Sequence, residues 1–249
     1  ARMTGAPRAS AAPAPSATVA PPWAVGEYVL IAATLPPTDA GHAKGAARGS
    51  IGMRVPGGNS MSAIASTGLP FAVDNGAYSG LDAAAFRRLL ARVAGQPGLL
   101  WIACPDRVAR ASATLEMFGE WRAEVAAAGP VAFVGQDGIE DLVVPWEEFS
   151  CWFVGGSTRW KLSRASAELV AEAKRLEKLV HLGRVNSMRR LALAHAWGCD
   201  SVDGSSYSRW HHKAITHRPD MSLERHLQFL RGLERQAQEQ PILWRGVCS

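Results

Sequence analysis

Beyond residue 22, short apolar runs alternate with stretches whose apolar residues recur at helical spacing. The runs Tyr28–Ala33, Pro70–Val73, Leu99–Cys104, Val131–Gly135, Cys151–Val154, Leu179–Leu182 and Ser201–Val202 read as strands, being brief and almost continuously apolar. Phe86, Leu89, Leu90 and Val93 follow the i, i+3, i+4, i+7 pattern of one helix face, as do Leu223, Leu227, Leu230 and Leu233. Ser187 is placed to cap a helix running to Trp197, and Ser222 to cap the last one. Strands with no polar face, separated by amphipathic helices, predict an α/β fold with a parallel sheet covered by helices. A (β/α)8 TIM-type barrel is the expected architecture, and an open doubly wound sheet is the alternative. An eighth strand is sought near Val143–Val144 or Ile242–Trp244. The Gly-rich segment Pro36–Ser60 shows no periodicity and reads as a long loop.

Composition narrows the class. The chain has 249 residues, 47% of them hydrophobic and 20% charged, enough to bury one full core. A single domain over 23–249 is expected, preceded by an Ala/Pro-rich segment, 1–22, too poor in apolar pattern to offset its ordering entropy. That segment has no compact apolar stretch of the secretory type, and no apolar run reaches the ~20 residues needed to cross a bilayer, so a cytoplasmic, non-membrane protein is expected. Cys104, Cys151, Cys199 and Cys248 form no C-x-x-C pair and read as scattered reduced thiols. The net charge of +5 suits a polyanionic partner. Its local concentration at Arg184, Arg189, Arg190, Arg209, Lys213 and Arg218 is a candidate phosphate-contacting surface. A solvated helix face is the plain alternative for Arg189 and Arg190. His211, His212 and His217 lack partners at metal-ligand spacing and read as surface or phosphate-contacting residues.

The residues just past each strand are the informative feature. Val73 leads into Asp74-Asn75-Gly76-Ala77-Tyr78, and Cys104 into Pro105-Asp106. Val134 leads into Gly135-Gln136-Asp137-Gly138, Val154 into Gly155-Gly156-Ser157, and Val202 into Asp203-Gly204. In barrels and open α/β sheets the loops at strand carboxyl ends converge on one face, which carries the active site. One Asp-Gly after a strand is usually only a turn former, but five polar strand ends in register point to a site. Two carboxylates there suit chemistry at an anomeric carbon, one attacking or stabilising the centre and one handling the leaving group's proton. A glutamine, a further aspartate and glycine backbone can read a heterocycle's edge, with Tyr78 stacking on its face.

In order along the chain, FAVDNGAY, CPDRVA, FVGQDG, FVGGST and HLGRVNSMRRLALAHAWGCDSVD resemble segments of the guanine transglycosylases. The resemblance runs from about Pro70 to Tyr207. It implies Asp203 as covalent nucleophile, Asp74 as proton-handling aspartate, Tyr78 as the stacking aromatic, and Asp106, Gln136, Gly155 and Gly156 as readers of the base. After Tyr207 only Cys248 remains, so the zinc site of the tRNA enzymes has no ligands here. With the short chain, this makes the sequence more similar to the DNA-modifying branch found in phages and bacterial islands. The implied activity is a pentosyl transfer in DNA, exchanging guanine for a 7-deazaguanine base such as preQ0, with no metal or other cofactor. Under that reading the partners are DNA, or tRNA as the nearest rival, and the free base. The setting would be the cytoplasm, that of the host if the protein is phage-encoded. A barrel glycoside hydrolase or sugar-phosphate enzyme using Asp74 and Asp203, and a non-catalytic nucleic-acid-binding module, stay open as alternatives.

Overall fold

The computed structural model describes residues 29–33, 51–55, 71–77 and 80–204, the first two segments as backbone only. The strands are β1 (Val29–Ala33), β2 (Ile51–Val55), β3 (Phe71–Val73), β4 (Leu99–Ala103), β5 (Val131–Gly135), β6 (Cys151–Val154), β7 (Leu179–Leu182) and β8 (Ser201–Gly204). From β3 to β8 they form a continuous parallel sheet curved into a half-barrel, each strand beside its sequence neighbour. The backbone of β2 pairs with β3, and that of β1 pairs with both β2 and β8. Strand order therefore follows the sequence, without the reversal that a doubly wound sheet requires.

Two sequence expectations are corrected here. The segment Pro36–Ser60 contains β2, a strand whose Gly52 and Arg54 hid its apolar character. Val143–Val144 forms no strand, and Val143 is 90% exposed after a short 3-10 turn. Ile242–Trp244, the tail 1–22, Tyr78, Arg209, Lys213, Arg218, His211, His212, His217, Cys248 and the Ser222 helix lie outside the described residues.

Helices α1 (Ala83–Val93), α2 (Ala111–Ala128), α3 (Thr158–Lys161), α4 (Arg164–Arg175) and α5 (Met188–Ala196) occupy the connections. Most starts carry a side-chain acceptor for an otherwise unpaired amide. Asp82 accepts from Ala85 N at 2.9 Å, and Ser157, Ser163 and Ser187 cap α3, α4 and α5. The expected face of α1 is the buried one: Phe86, Leu89, Leu90 and Val93. Helix α2 buries Met117, Phe118, Trp121 and Val125.

Side chains alternate across the sheet, as a period of two demands, except on β4, where Leu100 and Trp101 both join the inner cluster at a register shift against β3. Phe71, Val73, Ile102, Phe133, Trp152, Val154 and Leu182 face outward and join the helices in one apolar cluster. Ala72, Trp101, Ala103, Ala132, Val134, Cys151 and Phe153 face inward and form a second. Cys104, Cys151 and Cys199 are buried free thiols. No helix among the described residues is long and apolar enough to cross a membrane.

Packing between the two layers is tight at β5. A Cβ on Gly135 would stand 2.6 Å from the Trp152 ring, and Trp152 is fully buried. Gly135→Ala is therefore expected to lower stability by about 1–3 kcal/mol through overpacking. Urea unfolding of the variant beside the parent protein measures this.

Candidate functional site

The carboxyl ends of β3, β4 and β5 bring Asn75, Asp106 and Gln136 into one hydrogen-bonded group, and those of β7 and β8 bring Arg184, His181 and Asp203 into another. Asp106, after β4, is 7% exposed. Its Oδ1 accepts from Asn75 Nδ2 at 2.7 Å, and its Oδ2 accepts from Gln136 Nε2 at 2.7 Å. Asn75 is held in turn: Nδ2 also donates to the Cys104 carbonyl at 2.8 Å, and Oδ1 accepts from Ala77 N at 2.7 Å. Gln136 Oε1 accepts from Ala109 N at 2.8 Å. Both ends of the Gln136 amide are thus occupied within the protein.

Burial pushes the Asp106 carboxyl up to about 6, with the negative charge of Asp74 acting the same way. Hydrogen bonds from Asn75 and Gln136 and the Arg184 cation oppose the rise without cancelling it. Asp74 and Arg184 thus act on Asp106 from the ends of different strands.

Asp203 is the inward-facing residue one step from the end of β8 and is 3% exposed. Oδ1 accepts from Arg184 N at 2.9 Å, and Oδ2 lies 3.1 Å from His181 Nε2. Val185 N donates to the Asp203 carbonyl. The loop after β7 therefore wraps this residue from two sides. Ala109 and Arg184 share a further property: each has a positive φ, 58°, and each aims its amide at a site side chain. Left-handed backbone at a residue other than glycine is strained by roughly 1–3 kcal/mol, and such strain clusters at functional sites.

The glycine pair after β6 serves packing. Gly155 N donates to the Gly135 carbonyl at 3.0 Å. A Cβ on Gly155 would stand 2.8 Å from Gln136 Nε2, and one on Gly156 would stand 2.6 Å from both Asp137 Oδ2 and the Trp160 ring. Gly156 also has φ +69°, which favours glycine. Asp137 accepts from Ser157 N at 2.7 Å and from the Ser157 hydroxyl, tying the loops after β5 and β6 together.

Among the basic residues, Arg190 donates to the Arg184 carbonyl at 3.1 Å, and Arg189 is exposed on α5. Sequence reasoning passed over Asn75, His181, Ser201 and Lys161. Lys161 is 3% exposed and donates to the Gly183 carbonyl at 2.8 Å, beside the end of β7. A lysine in a short polar turn, and a histidine inside the apolar run Leu179–Leu182, carry little local signal. The parity of β7 and β8 was the usable clue, since it sets His181 and Asp203 on one face. Among the described residues, no three His, Cys, Asp or Glu side chains converge as metal ligands would.

No protein-family model matches the chain, and no curated protein matches it in sequence. Several solved structures are similar in fold. Ligand-free tryptophan synthase from M. tuberculosis matches with TM-score 0.50 and 20% identity, over 84% of this chain and 92% of that one. The tryptophan synthase complex of Pyrococcus furiosus matches with TM-score 0.50 and 15% identity, over 83% and 98%. An HpcH/HpaI aldolase/citrate lyase family protein from Burkholderia cenocepacia matches with TM-score 0.50 and 13% identity, over 83% and 95%. At such identities the likeness is one of fold.

These findings correct the sequence-based assignment. The similar structures are tryptophan synthase and aldolase barrels rather than guanine transglycosylases, so neither that family nor guanine exchange in DNA or tRNA is retained. The pentosyltransferase, 7-deazaguanine and phage associations go with it. Short polar and Gly-rich motifs at barrel strand ends mark where sites are built, and many chemistries share them.

The raised acid range of Asp106 has a consequence for stability. A carboxyl that is harder to ionise in the folded protein favours folding while protonated. That contribution is complete below the ordinary value of 3.8 and is lost as pH rises through about 6. Linkage converts the displacement into about 3 kcal/mol. Denaturant unfolding from pH 4 to pH 7 should show the parent losing stability relative to Asp106→Asn by up to that amount. Parallel pH curves would exclude it.

Proposed function

We propose that the chain forms a closed (β/α)8 barrel and is an enzyme catalysing a lyase-type, aldol-like cleavage of a small anionic hydroxy-carbonyl compound. The observation that carries this reading is Asp106, a buried strand-end carboxyl whose acid range is lifted to about 6. A group that gains and loses a proton near neutral pH suits general acid–base work, where efficiency peaks when the acid range lies close to the operating pH. Strand-end loops are where barrel enzymes place such groups. The pairing of β1 with both β2 and β8 supports full closure, and the aldolase/citrate lyase family protein among the similar folds supports the reaction class.

In this reaction a base takes the proton from the substrate hydroxyl. The carbon–carbon bond then breaks, and its electron pair becomes the enolate of the departing carbonyl fragment. An acid returns a proton to the enolate carbon. Asp106 serves as the proton-transfer group, held at a fixed angle by Asn75 and Gln136. Asp203 is the second carboxylate, oriented by Arg184 N and His181. Asp74 adds to the rise that burial imposes on Asp106, and the exposed Arg184 guanidinium offers a cation for a substrate carboxylate.

A panel of 4-hydroxy-2-oxo acids, followed by proton NMR for release of aldehyde and oxo acid, tests the reading. The parent protein should cleave at least one member, with a rate that follows an ionisation near pH 6. Asp106→Asn should lose turnover by roughly 10²–10⁴-fold. Absence of both cleavage and solvent-deuterium exchange beside the carbonyl would refute the proposal, as would an Asp106→Asn variant of parental rate.

A further inference from the structure

Among the described residues, the inward face of the sheet is apolar except along β7 and β8, where it carries a histidine, a serine and an aspartate. His181 is fully buried, and Ser201 is 5% exposed. Strand register places His181 beside Ser201, and Asp203 comes two residues later on the same face. The imidazole bridges them: Nδ1 lies 2.8 Å from Ser201 Oγ, and Nε2 lies 3.1 Å from Asp203 Oδ2. Its ring is wedged between Trp101, at a centroid distance of 4.7 Å, and Phe153, whose ring meets it edge-on at 4.5 Å.

We propose that His181 is a positioning residue: its ring, clamped by Trp101 and Phe153 and anchored at Nδ1 by Ser201, presents an Nε2–H that orients the Asp203 carboxylate toward the mouth.

Polar groups in an apolar interior cost free energy unless each is paired, and a paired network holds its members in one arrangement. Both oxygens of Asp203 are then spoken for. Arg184 N is an obligate donor to Oδ1, so an ionised Asp203 requires a donor at the Nε2 position as well. The aromatic walls remove the ring's freedom to turn, and Ser201 can serve Nδ1 as donor or acceptor. With Asp203 ionised, the proton faces it whether the ring is neutral or cationic. His181 sits one step deeper than Asp203, so it acts on the substrate only through that carboxylate.

The kinetic part of this inference rests on the lyase reading; the placement of the proton does not. Long-range proton–nitrogen NMR of the full chain labelled at histidine reads the placement directly. The His181 signal is identified by its loss in His181→Gln. Expected is a ring protonated at Nε2 whose resonances shift in Asp203→Asn. A ring protonated only at Nδ1, or one indifferent to Asp203→Asn, overturns the proposal without reference to any substrate. In turnover, His181→Leu should lower kcat by about 10²-fold with little change in KM, as expected when a reacting group is misaligned. His181→Gln, which can offer an amide N–H near the same place, should recover part of that loss. Equal losses in the two variants would point to a packing role and overturn the proposal. A parent protein inactive on every oxo acid would refute the lyase reading alone, leaving the NMR result to decide on His181.

Discussion

A strand covered on both faces must place two sets of side chains, and in a parallel sheet their period of two leaves no freedom in the division. Outward residues such as Phe133 and Trp152 meet the helices, while Trp101, Val134 and Phe153 fill the concave side. Everything at the candidate site depends on this parity. Asp203 faces inward because Val202 faces outward, and the same rule delivers His181 and Ser201 to its side. A slip of one residue in the β7–β8 register would remove the histidine from the carboxylate and bury it among the helices.

Around that frame the hydrogen bonds are reciprocal. Asp106 requires donors on both oxygens because it is buried, and Asn75 and Gln136 are themselves immobilised by backbone partners. The glycine at 155 lets the chain come close enough to pack on the Gln136 amide. Burial still outweighs these bonds, which is why the carboxyl stays hard to ionise. The loops after β5 and β6 are braced separately by Asp137 and Ser157. The site is thus two carboxylates, each held by its own short network, with Arg184 acting on both: its charge acts on Asp106 and its amide binds Asp203.

Much of the frame was legible in the sequence. The helical face Phe86–Leu89–Leu90–Val93 and the Ser187 cap are local signals, and local signals survive folding. Polar residues after apolar runs mark the strand ends where Asp106 and Asp203 stand. Strand β2 was hidden, because a brief strand with glycine and arginine in it resembles a loop. His181 was hidden for the opposite reason, since one polar residue in Leu-Val-His-Leu leaves the run looking apolar. The reaction class was not legible at all. Short Asp-Gly and Gly-Gly motifs report where a barrel turns, and many chemistries share those turns.

The strained residues Ala109 and Arg184 separate two tasks that loops usually perform together. Each holds its partner with a backbone amide, so the donor's direction is set by φ and ψ rather than by the side chain. The side chains at both positions are exposed and take no part in those two hydrogen bonds. Residues tolerant of the left-handed region, such as glycine or asparagine, could stand there without moving either hydrogen bond, whereas β-branched residues could not. The mouth of the sheet can therefore change the charge and size of what it admits while its carboxylates stay where they are.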